Sequence, residues 1–457
     1  RHYDFGGEPH YMMSREPSLP SAFAGAVMGF RGLDNFRLKP HAVKKAEPRF
    51  TSGVSGSNFL APGDLATIYN LSPLYDAGID GTGQTLAIMG QTAINLSDVA
   101  AFRTASGLPA NVPQVILIPG SVDPGMVAGD IDEANLDVDW AGAVARKATI
   151  KYVYADPTPG VGNGVIDALF YAIDNKISPV MSISYGLCED AAGKTGFTQS
   201  DANILAAEAQ KANSLGITIV APSGDSGSAD CDNIVPAQRG LAVDLPGAMP
   251  YVTSIGGTIL NADIANPASF WLARIVGTDI LTSARSYIPE TAWNDTTASG
   301  SLAATGGGSS IYFPKPSWQT GTGVSADGAR DVPDVSFSAS GNHDGFLVCS
   351  EDGSPGSFQP SCVNGFRRAD ASLDVFGGTS AGVPIFAGIV ALINQAANTP
   401  AGQGNVNPHL YAMATASPLS FHDITTGDNA VPYQPANLSN CVPAAVSLGY
   451  VAGAGYD

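Results

Sequence analysis

The chain has 457 residues, and its 41 acidic against 22 basic residues give a formal net charge of −19. This acidity argues against nucleic acid as a partner. The small number of lysines and arginines suits an acidic environment, where carboxylates lose charge and a cation-rich chain would repel itself. Apolar runs such as VPIFAGIVALI at 383–393 lie below the roughly 18 residues that cross a bilayer, so we predict no membrane anchor.

Strand-like segments alternate with helical stretches along the chain. The segments that we predict as strands are TLAIMG, VILIPG, TIKYVYA, VMSISYG and ITIVAPS. Helical stretches between them include FTQSDANILAAEAQKANSLG. Strands that alternate with helices usually form a parallel sheet with helices on both faces. The sequence therefore predicts an α/β fold.

A dense group of carboxylates occurs in DIDEANLDVDW. From Asp132 onward this segment is typical of a helix that leads into a strand. Glu133 and Asp137 are then one turn apart and share a helix face. One interpretation is an exposed acidic face. The other is a catalytic pair, in which Glu133 faces a nucleophile while Asp137 orients it and shares its proton.

A buried strand at 217–221 precedes the turn SGDSG, which carries Asp225. Functional residues of α/β proteins gather at such strand ends. Asp225 could simply cap the turn. If protonated, it could instead donate a hydrogen bond to an oxyanion, which requires acidic pH or a raised pKa.

The segment GGTSAGVPIFAGIVALIN at 377–394 places Ser380 at the N-terminus of a strongly apolar helix. The free N–H groups and positive dipole end of a helix favour the negative charge that develops when a serine attacks a carbonyl. The simpler interpretation is a glycine-rich turn that enters a buried helix. No histidine occurs in a recognisable catalytic setting; the six are His2, His10, His41, His343, His409 and His422.

Taken together, the segments EANLD, SGDSG and GGTSAG resemble the sedolisin family of serine-carboxyl peptidases over nearly the whole chain. The resemblance implies a subtilisin-like fold and a secreted endopeptidase that cleaves proteins at acidic pH through an acyl-enzyme. By that resemblance Ser380 is the nucleophile, Glu133 the general base, Asp137 its orienting partner and Asp225 the oxyanion stabiliser.

The resemblance also implies a Ca²⁺ site near the C-terminus, in FHDITTGDN at 421–429 and AGAGYD at 452–457. Its expected ligands are the carboxylates of Asp423 and Asp457 and the carbonyls of Ile424, Gly453 and Gly455. Calcium takes six to eight oxygen ligands, which agrees with this set. Relatives continue past the position of Asp457, where this chain stops, so the rigidity of the site stays open.

Residues 1–45 are expected to be the C-terminal part of a propeptide and its linker, followed by the catalytic domain at 46–457. The motif GLDNF at 32–36 carries this resemblance. We expect that an upstream segment has been removed, because the sequence begins without an initiator methionine or a leader. We predict that the linker is cut between about His41 and Ser55 during activation. The alternative is an N-terminal helical subdomain.

Five cysteines indicate an oxidising compartment. Cys349 and Cys362 flank a polar loop and could pair, as could Cys188 and Cys231, which leaves Cys441. Buried free thiols are the alternative.

Two positions depart from some relatives of the family. Gln91 stands where some have glutamate and Tyr185 where some have tryptophan, so the proton network is expected to be shorter here.

We expect a monomer that acts on polypeptides and on its own propeptide. Two further hypotheses stay open. One is a histidine-dependent subtilisin-like hydrolase that uses His343, His409 or His422. The other is a non-catalytic calcium-stabilised binding domain or locked zymogen.

Overall fold

The structure is a computed structural model that describes residues 58–158, 164–192, 196–273, 275, 279–351, 359–435 and 446–456, together with parts of 2–47. The described helices are α1 (Pro62–Ile68), α2 (Ser72–Asp76), α3 (Leu96–Ala105), α4 (Asp130–Val144), α5 (Val165–Asp174), α6 (Gln199–Ser214), α7 (Ala262–Ala265), α8 (Pro267–Phe270), α9 (Thr296–Ser299), α10 (Gly382–Ala396) and α11 (Asn407–Ala416). Two short 3₁₀ turns cover Thr379–Ala381 and Pro418–Ser420.

The first ten described strands are β1 (His2–Phe5), β2 (Glu8–Tyr11), β3 (Lys39–Pro40), β4 (Val43–Glu47), β5 (Thr85–Gly90), β6 (Gln114–Leu117), β7 (Thr149–Tyr154), β8 (Val180–Ser182), β9 (Tyr185–Cys188) and β10 (Thr218–Pro222). The others are β11 (Asp244–Leu245), β12 (Thr253–Ile259), β13 (Thr291–Ala292), β14 (Gly308–Pro314), β15 (Ala329–Val332), β16 (Val335–Ser338), β17 (Phe346–Val348), β18 (Leu373–Gly377), β19 (Val431–Tyr433) and β20 (Val446–Leu448).

The central sheet has the strand order β13-β12-β10-β8-β5-β7-β6, and β16 pairs with β12 beside this path. Every pairing in it is parallel except that of β13, which runs antiparallel to β12. The predicted α/β class is confirmed. One predicted strand was wrong in detail, because VMSISYG divides into β8 in the central sheet and β9 in a separate sheet of order β11-β9-β3.

Both faces of the sheet are covered, and two apolar cores result. Successive residues of β5 alternate between them: Leu86 and Ile88 belong to the core that includes α4 and α10, whereas Ala87 and Met89 belong to the core that includes α5 and α6. This alternation follows from the two-residue period of a strand, which sends neighbouring side chains to opposite faces. A fully buried parallel strand is therefore apolar throughout.

Helices α4 and α10 pack against each other in the first core. A Cβ at Gly388 of α10 would lie 2.8 Å from the Cβ of Val144 in α4, so the glycine permits this close approach. The segment Thr379–Ala396 is the one described helix long and apolar enough to cross a membrane by length and composition, and 78% of it is buried inside the fold. Because most of the segment is buried, its high hydropathy is explained by packing in the protein core.

The N-terminal segment runs along two different sheets. β3 pairs antiparallel with β9, so that Lys39 lies opposite Gly186 and Pro40 opposite Tyr185. Shortly afterwards β4 pairs antiparallel with β18, the strand that leads to Ser380. Backbone pairing therefore holds the chain on both sides of His41.

Candidate active site

Ser380 lies where β18 ends and α10 begins. β18 ends at Gly377, Gly378 has a φ of +98° that only glycine adopts readily, and Ser380 occupies the 3₁₀ turn that leads into the helix. This location agrees with the prediction. Ser380 is fully buried. Its hydroxyl donates to the carbonyl of Ser184 at 3.3 Å.

Glu133 and Asp137 lie on α4, which is buried over its whole length. Both carboxyls are completely shielded from solvent, so the interpretation as an exposed acidic face was wrong. The helix begins at Asp130, two residues before the predicted start. Apolar residues of the core surround α4 on the sheet and helix sides, which is why carboxylates on it cannot reach water.

The Glu133 carboxyl adjoins the Ser380 hydroxyl. Burial raises the pKa of Glu133 well above its usual value, the nearby charge of Asp137 raises it further, and the Ser380 hydroxyl lowers it. Neither carboxyl oxygen of Glu133 accepts a hydrogen bond of good geometry from a described residue, because the serine hydroxyl is directed at Ser184. A rotation of that hydroxyl is the change that would join the two groups.

Ser184 connects the nucleophile to the acidic pair. Its hydroxyl donates to Oδ1 of Asp137 at 2.7 Å, while its carbonyl accepts from Ser380. Burial raises the pKa of Asp137 well above its usual value, although this hydrogen bond lowers it. Sequence reasoning missed Ser184. The sequence feature that could have identified Ser184 as a site residue is its position immediately before Tyr185, at the carboxyl end of a predicted strand.

Asp225 faces the residue that precedes the nucleophile. Its Oδ1 accepts from both the backbone N–H and the hydroxyl of Thr379, each at 2.8 Å. Its Oδ2 is shielded from solvent and has no hydrogen-bond partner among the described residues. Burial raises the pKa of Asp225 to about 6, although the imidazole of His41 and the hydrogen bonds from Thr379 lower it. In acid a proton would therefore occupy Oδ2, which is the uncommitted oxygen.

The three histidines of the alternative hydrolase lie in other settings. Nε2 of His343 is 2.8 Å from Oδ1 of Asp263, the ring of His422 stacks on Tyr287, and His409 lies on α11. Within the described part of the chain, the hydrogen bonds that Ser380 donates go to Ser184 and to the backbone of His41. This geometry favours the carboxyl groups over a histidine as the base.

Comparison with known proteins agrees with this fold. The subtilase family matches residues 125–423, which is more than half of the chain. Kumamolisin from Bacillus sp. (strain MN-32) is 32% identical over 451 residues, covering 94% of this chain and 69% of that protein. The chain belongs to the sedolisin family of serine-carboxyl peptidases. It is therefore a serine-type peptidase.

Other members of the family match at lower identity. Sedolisin from Pseudomonas sp. (strain 101) is 26% identical over 466 residues, covering 100% of this chain and 68% of that protein. Human tripeptidyl-peptidase 1 is also 26% identical, over 93% of this chain and 68% of that protein. The structure of Pseudomonas sedolisin with two molecules of pseudo-iodotyrostatin matches with a TM-score of 0.60 and 24% identity, covering 88% of this chain and 96% of that one. This structural match shows the shared subtilisin-like fold.

The two positions that depart from some members of the family contact other groups. Gln91 donates through Nε2 to Oδ1 of Asp130 at 3.0 Å and to the carbonyl of Leu38 at 3.2 Å. Tyr185 is fully buried beside the acidic pair, and burial raises the pKa of its hydroxyl well above the usual value. Gln91 thus holds the N-terminal segment. None of its described hydrogen bonds reaches Glu133.

The N-terminal segment lies against the nucleophile in this member of the family. The backbone N–H of Ser380 donates to the carbonyl of His41 at 3.3 Å, and the N–H of His41 donates to the carbonyl of Ser184 at 3.3 Å. Upstream, Leu38 is buried. His41 is a second residue that sequence reasoning missed as part of the site.

The residues of the predicted calcium site come together only in part. The N–H of Gly455 donates to both carboxylate oxygens of Asp423, at 3.2 and 3.1 Å. Ile424 lines a nearby cavity of about 320 Å³. Asp457 lies outside the described residues. The described contact between Asp423 and the 453–455 turn is thus a hydrogen bond from the backbone.

A different group of potential metal ligands occurs elsewhere. The potential ligand atoms of Asp263, His343 and Asp344 lie within 4.8 Å of one another. Among the described residues, these three form the one cluster of acidic, histidine or cysteine side chains close enough to share a metal ion. Nε2 of His343 also lies 3.0 Å from the carbonyl of Leu260. Direct contacts between the imidazole and the carboxylates account for this cluster without an ion.

Both suggested disulfides are present. Cys188 pairs with Cys231, and Cys349 pairs with Cys362. Cys441 lies outside the described residues. The first disulfide joins β9 to the loop that follows Asp225, and therefore connects two sides of the site.

Proposed function

We propose that this sedolisin-family peptidase is an acid-acting endopeptidase in which Ser380 is the nucleophile and Glu133 is the general base. The observation that carries the proposal is the buried carboxyl of Glu133 beside the Ser380 hydroxyl. At acidic pH a histidine would be protonated and could not accept the serine proton. The Glu133–Asp137 pair shares one proton and keeps one negative charge, so Glu133 can still accept the serine proton, and its raised pKa makes the ionised form a stronger base.

The first half of the reaction passes one proton through Glu133, forms the bond between Ser380 Oγ and the acyl carbon, and breaks the peptide C–N bond. Ser380 Oγ attacks the carbonyl carbon while Glu133 accepts the hydroxyl proton. Glu133 then returns this proton to the departing amine, which leaves an acyl-enzyme. In the second half a water molecule attacks the ester, Glu133 takes its proton, and Ser380 recovers the proton as the acid product leaves. Asp137 shares one proton with Glu133, so that the pair carries one negative charge.

Asp225 and the backbone N–H of Ser380 would stabilise the oxyanion of each tetrahedral intermediate. A neutral Asp225 can donate from Oδ2, since Oδ1 already accepts from Thr379. The Ser380 N–H is already directed at a peptide carbonyl, that of His41. A pKa of about 6 for Asp225 makes the donating form dominant in acid.

Endopeptidase activity is supported by how the N-terminal segment lies in the cleft. An enzyme that removes tripeptides needs a barrier three residues before the cleaved bond. Here the chain continues past that point, where Leu38 accepts a hydrogen bond from Gln91 and Arg37 contacts the Asp130 carboxylate. The cleft is therefore open to a longer polypeptide on this side.

We also propose that residues 1–45 belong to a propeptide and that activation cuts the bond between His41 and Ala42. The proposal is supported by the His41 carbonyl, which accepts from the Ser380 N–H, and by the paired strands on either side. Intact mass should reveal this cut when wild-type protein is moved to about pH 4, and the Ser380→Ala variant should stay uncut. A cut at another bond in both proteins would contradict the assignment.

Calcium binding and secretion complete the proposal. Asp423 and the 453–455 turn would hold Ca²⁺ together with Asp457 and Ile424, and the ion would stabilise this region by charge neutralisation. Two disulfides support an oxidising, extracellular compartment.

The catalytic assignment is tested by three variants assayed on an unfolded protein substrate at acidic pH. Ser380→Ala should lose activity by about 10⁴-fold or more, and Glu133→Gln by about 10²- to 10⁴-fold. Glu208→Gln, on the surface helix α6, is the matched control and should keep wild-type activity. Full activity of Glu133→Gln would overturn the proposal.

A further inference from the structure

The first residue of helix α4, Asp130, forms an ion pair with the N-terminal segment. Its Oδ2 accepts a hydrogen bond from Nη2 of Arg37, and its side chain is only 4% exposed. Counted back from the bond between His41 and Ala42, Arg37 is the fifth residue. An ion pair this far from the cleaved bond binds the segment and takes no part in the chemistry.

Gln91 holds both the carboxylate and the backbone of the segment. Its Nε2 donates to Oδ1 of Asp130 at 3.0 Å and to the carbonyl of Leu38 at 3.2 Å. The Gln91 side chain is buried, and a Cβ at Gly164 would lie 2.4 Å from its Oε1, so this glycine leaves room for the amide. One side chain thus fixes a peptide group of the segment and orients the carboxylate that binds the neighbouring side chain.

Two further groups lie near the guanidinium of Arg37. Burial lowers the pKa of Arg37, whereas the side chains of Tyr185 and Asp156 raise it. Asp156 is buried, and its Oδ1 accepts from the N–H of Thr158 at 2.8 Å. The Tyr185 hydroxyl is shielded from solvent and has no hydrogen-bond partner of good geometry among the described residues. These groups make the surroundings of the guanidinium polar and negative, as a half-buried cation requires.

The carboxylate of Asp130 depends on a cationic partner. Within the described part of the chain, its side chain accepts hydrogen bonds from Arg37 and from the neutral amide of Gln91. Departure of the segment would leave a nearly fully buried charge with the amide alone, which is costly. A guanidinium from a substrate would replace the lost donor with a charged hydrogen bond, which is the stronger kind. Cleavage of the segment therefore opens a site that an arginine fits.

We infer that Asp130, oriented by Gln91 and flanked by Asp156, is a subsite for a cationic side chain on the fifth residue before the cleaved bond. The inference rests on the proposed endopeptidase function. Arginine should bind best, because its planar guanidinium keeps its charge at every pH at which the enzyme would work, and because Arg37 reaches Asp130 in the structure. Lysine supplies the charge without this planar geometry, and glutamate would place a further negative charge there.

The test is the cleavage of N-acetylated peptides Z-Leu-Lys-Pro-His-Ala-Val-Lys, based on residues 37–44, in which Z is arginine, lysine, citrulline, norleucine or glutamate. Citrulline matches arginine in shape but lacks its charge. Wild-type enzyme, activated in acid, should cleave the arginine peptide with a kcat/KM roughly tenfold or more above that of the citrulline peptide. If it cleaves none of the peptides, the proposed function fails and the inference fails with it. If it cleaves all five equally well, only the inference fails.

Variants then locate the selectivity. Asp130→Asn should bring the kcat/KM ratio of the arginine and citrulline peptides close to one, while kcat/KM for the citrulline peptide changes little. Asp156→Asn should lower the same ratio and serves if the first variant does not fold. Asp98→Asn is the matched control, because Asp98 is equally buried in the first turn of another helix, α3, and accepts from the N–H of Glu351. A preference for arginine that survives in Asp130→Asn would show a general attraction of cations to this acidic protein and would overturn the assignment.

Discussion

Asp225 is the residue whose protonation sets the alkaline limit of the proposed reaction. Its pKa is raised to about 6 by burial, so the donating form is present below that pH and is lost as the pH rises through it. Asp225→Asn places an amide donor at the position of Oδ2 at every pH. We expect this variant to keep part of the activity and to extend it to higher pH, as measured by kcat/KM against pH. An alkaline limit unchanged from wild type would contradict this role.

Asp137 sets the acidic limit through its neighbour. Its charge raises the pKa of Glu133, so Asp137→Asn should lower that pKa. The ionised base would then persist to lower pH, and the acidic limb of the kcat/KM profile should move in that direction while the maximum falls. Asp139→Asn is the control, because Asp139 is equally buried on α4 but contacts the N–H of Cys349 instead. If the acidic limb moved equally in both variants, the cause would be the loss of any buried carboxyl from α4, and the specific role of Asp137 would be contradicted.

At the scale of elements, strand β9 pairs with β3 of the N-terminal segment and carries one cysteine of a disulfide. The Cys188–Cys231 disulfide closes a loop with a sequence separation of 43 and Cys349–Cys362 one of 13. Chain-entropy arguments assign them about 4 and about 3 kcal/mol of stability. Replacing either pair with serine should lower the denaturation midpoint. Only the first replacement should also lower kcat/KM on an unfolded protein substrate, because this disulfide joins β9 to the loop that follows Asp225, and an equal loss of kcat/KM in both would contradict this assignment.

The elements also show what could be predicted from the sequence. Ser380, Glu133 and Asp225 lie in local patterns: a glycine turn before an apolar helix, an i, i+4 pair, and a turn after a strand. Each was therefore available to sequence reasoning as a candidate, and the apolar neighbours of α4 explain why its acids are buried. His41 and Ser184 come close to Ser380 through the pairing of β3 with β9. Such pairing joins distant segments, so no local pattern reports it.

At the scale of the whole molecule, buried carboxyls should make the protein most stable in acid. Burial raises the pKa of Asp64 and Asp225 to about 6 and of Asp98 and Glu189 to about 7. These groups are protonated when folded but ionised when unfolded between about pH 4 and 7, so the free energy of unfolding falls as pH rises through this window. The formal charge of −19 adds repulsion near neutrality.

Calorimetry of the Ser380→Ala variant, which cannot digest itself, measures this dependence. The Tm should fall between about pH 4 and 7. Added salt should reduce only the part that comes from net charge, since buried groups are screened little. A Tm that rises over this range would contradict the assigned pKa directions.

The most direct test of the carboxyl-based mechanism is the pH dependence of kcat/KM for a peptide with the sequence of residues 37–44, measured from about pH 3 to 8 with acid-activated wild-type enzyme. We predict activity confined to acid, with an alkaline limb near pH 6 that follows the protonation of Asp225. An optimum near neutrality, with activity rising through the ordinary histidine pKa of about 6.5, would contradict this account and assign the base to a histidine.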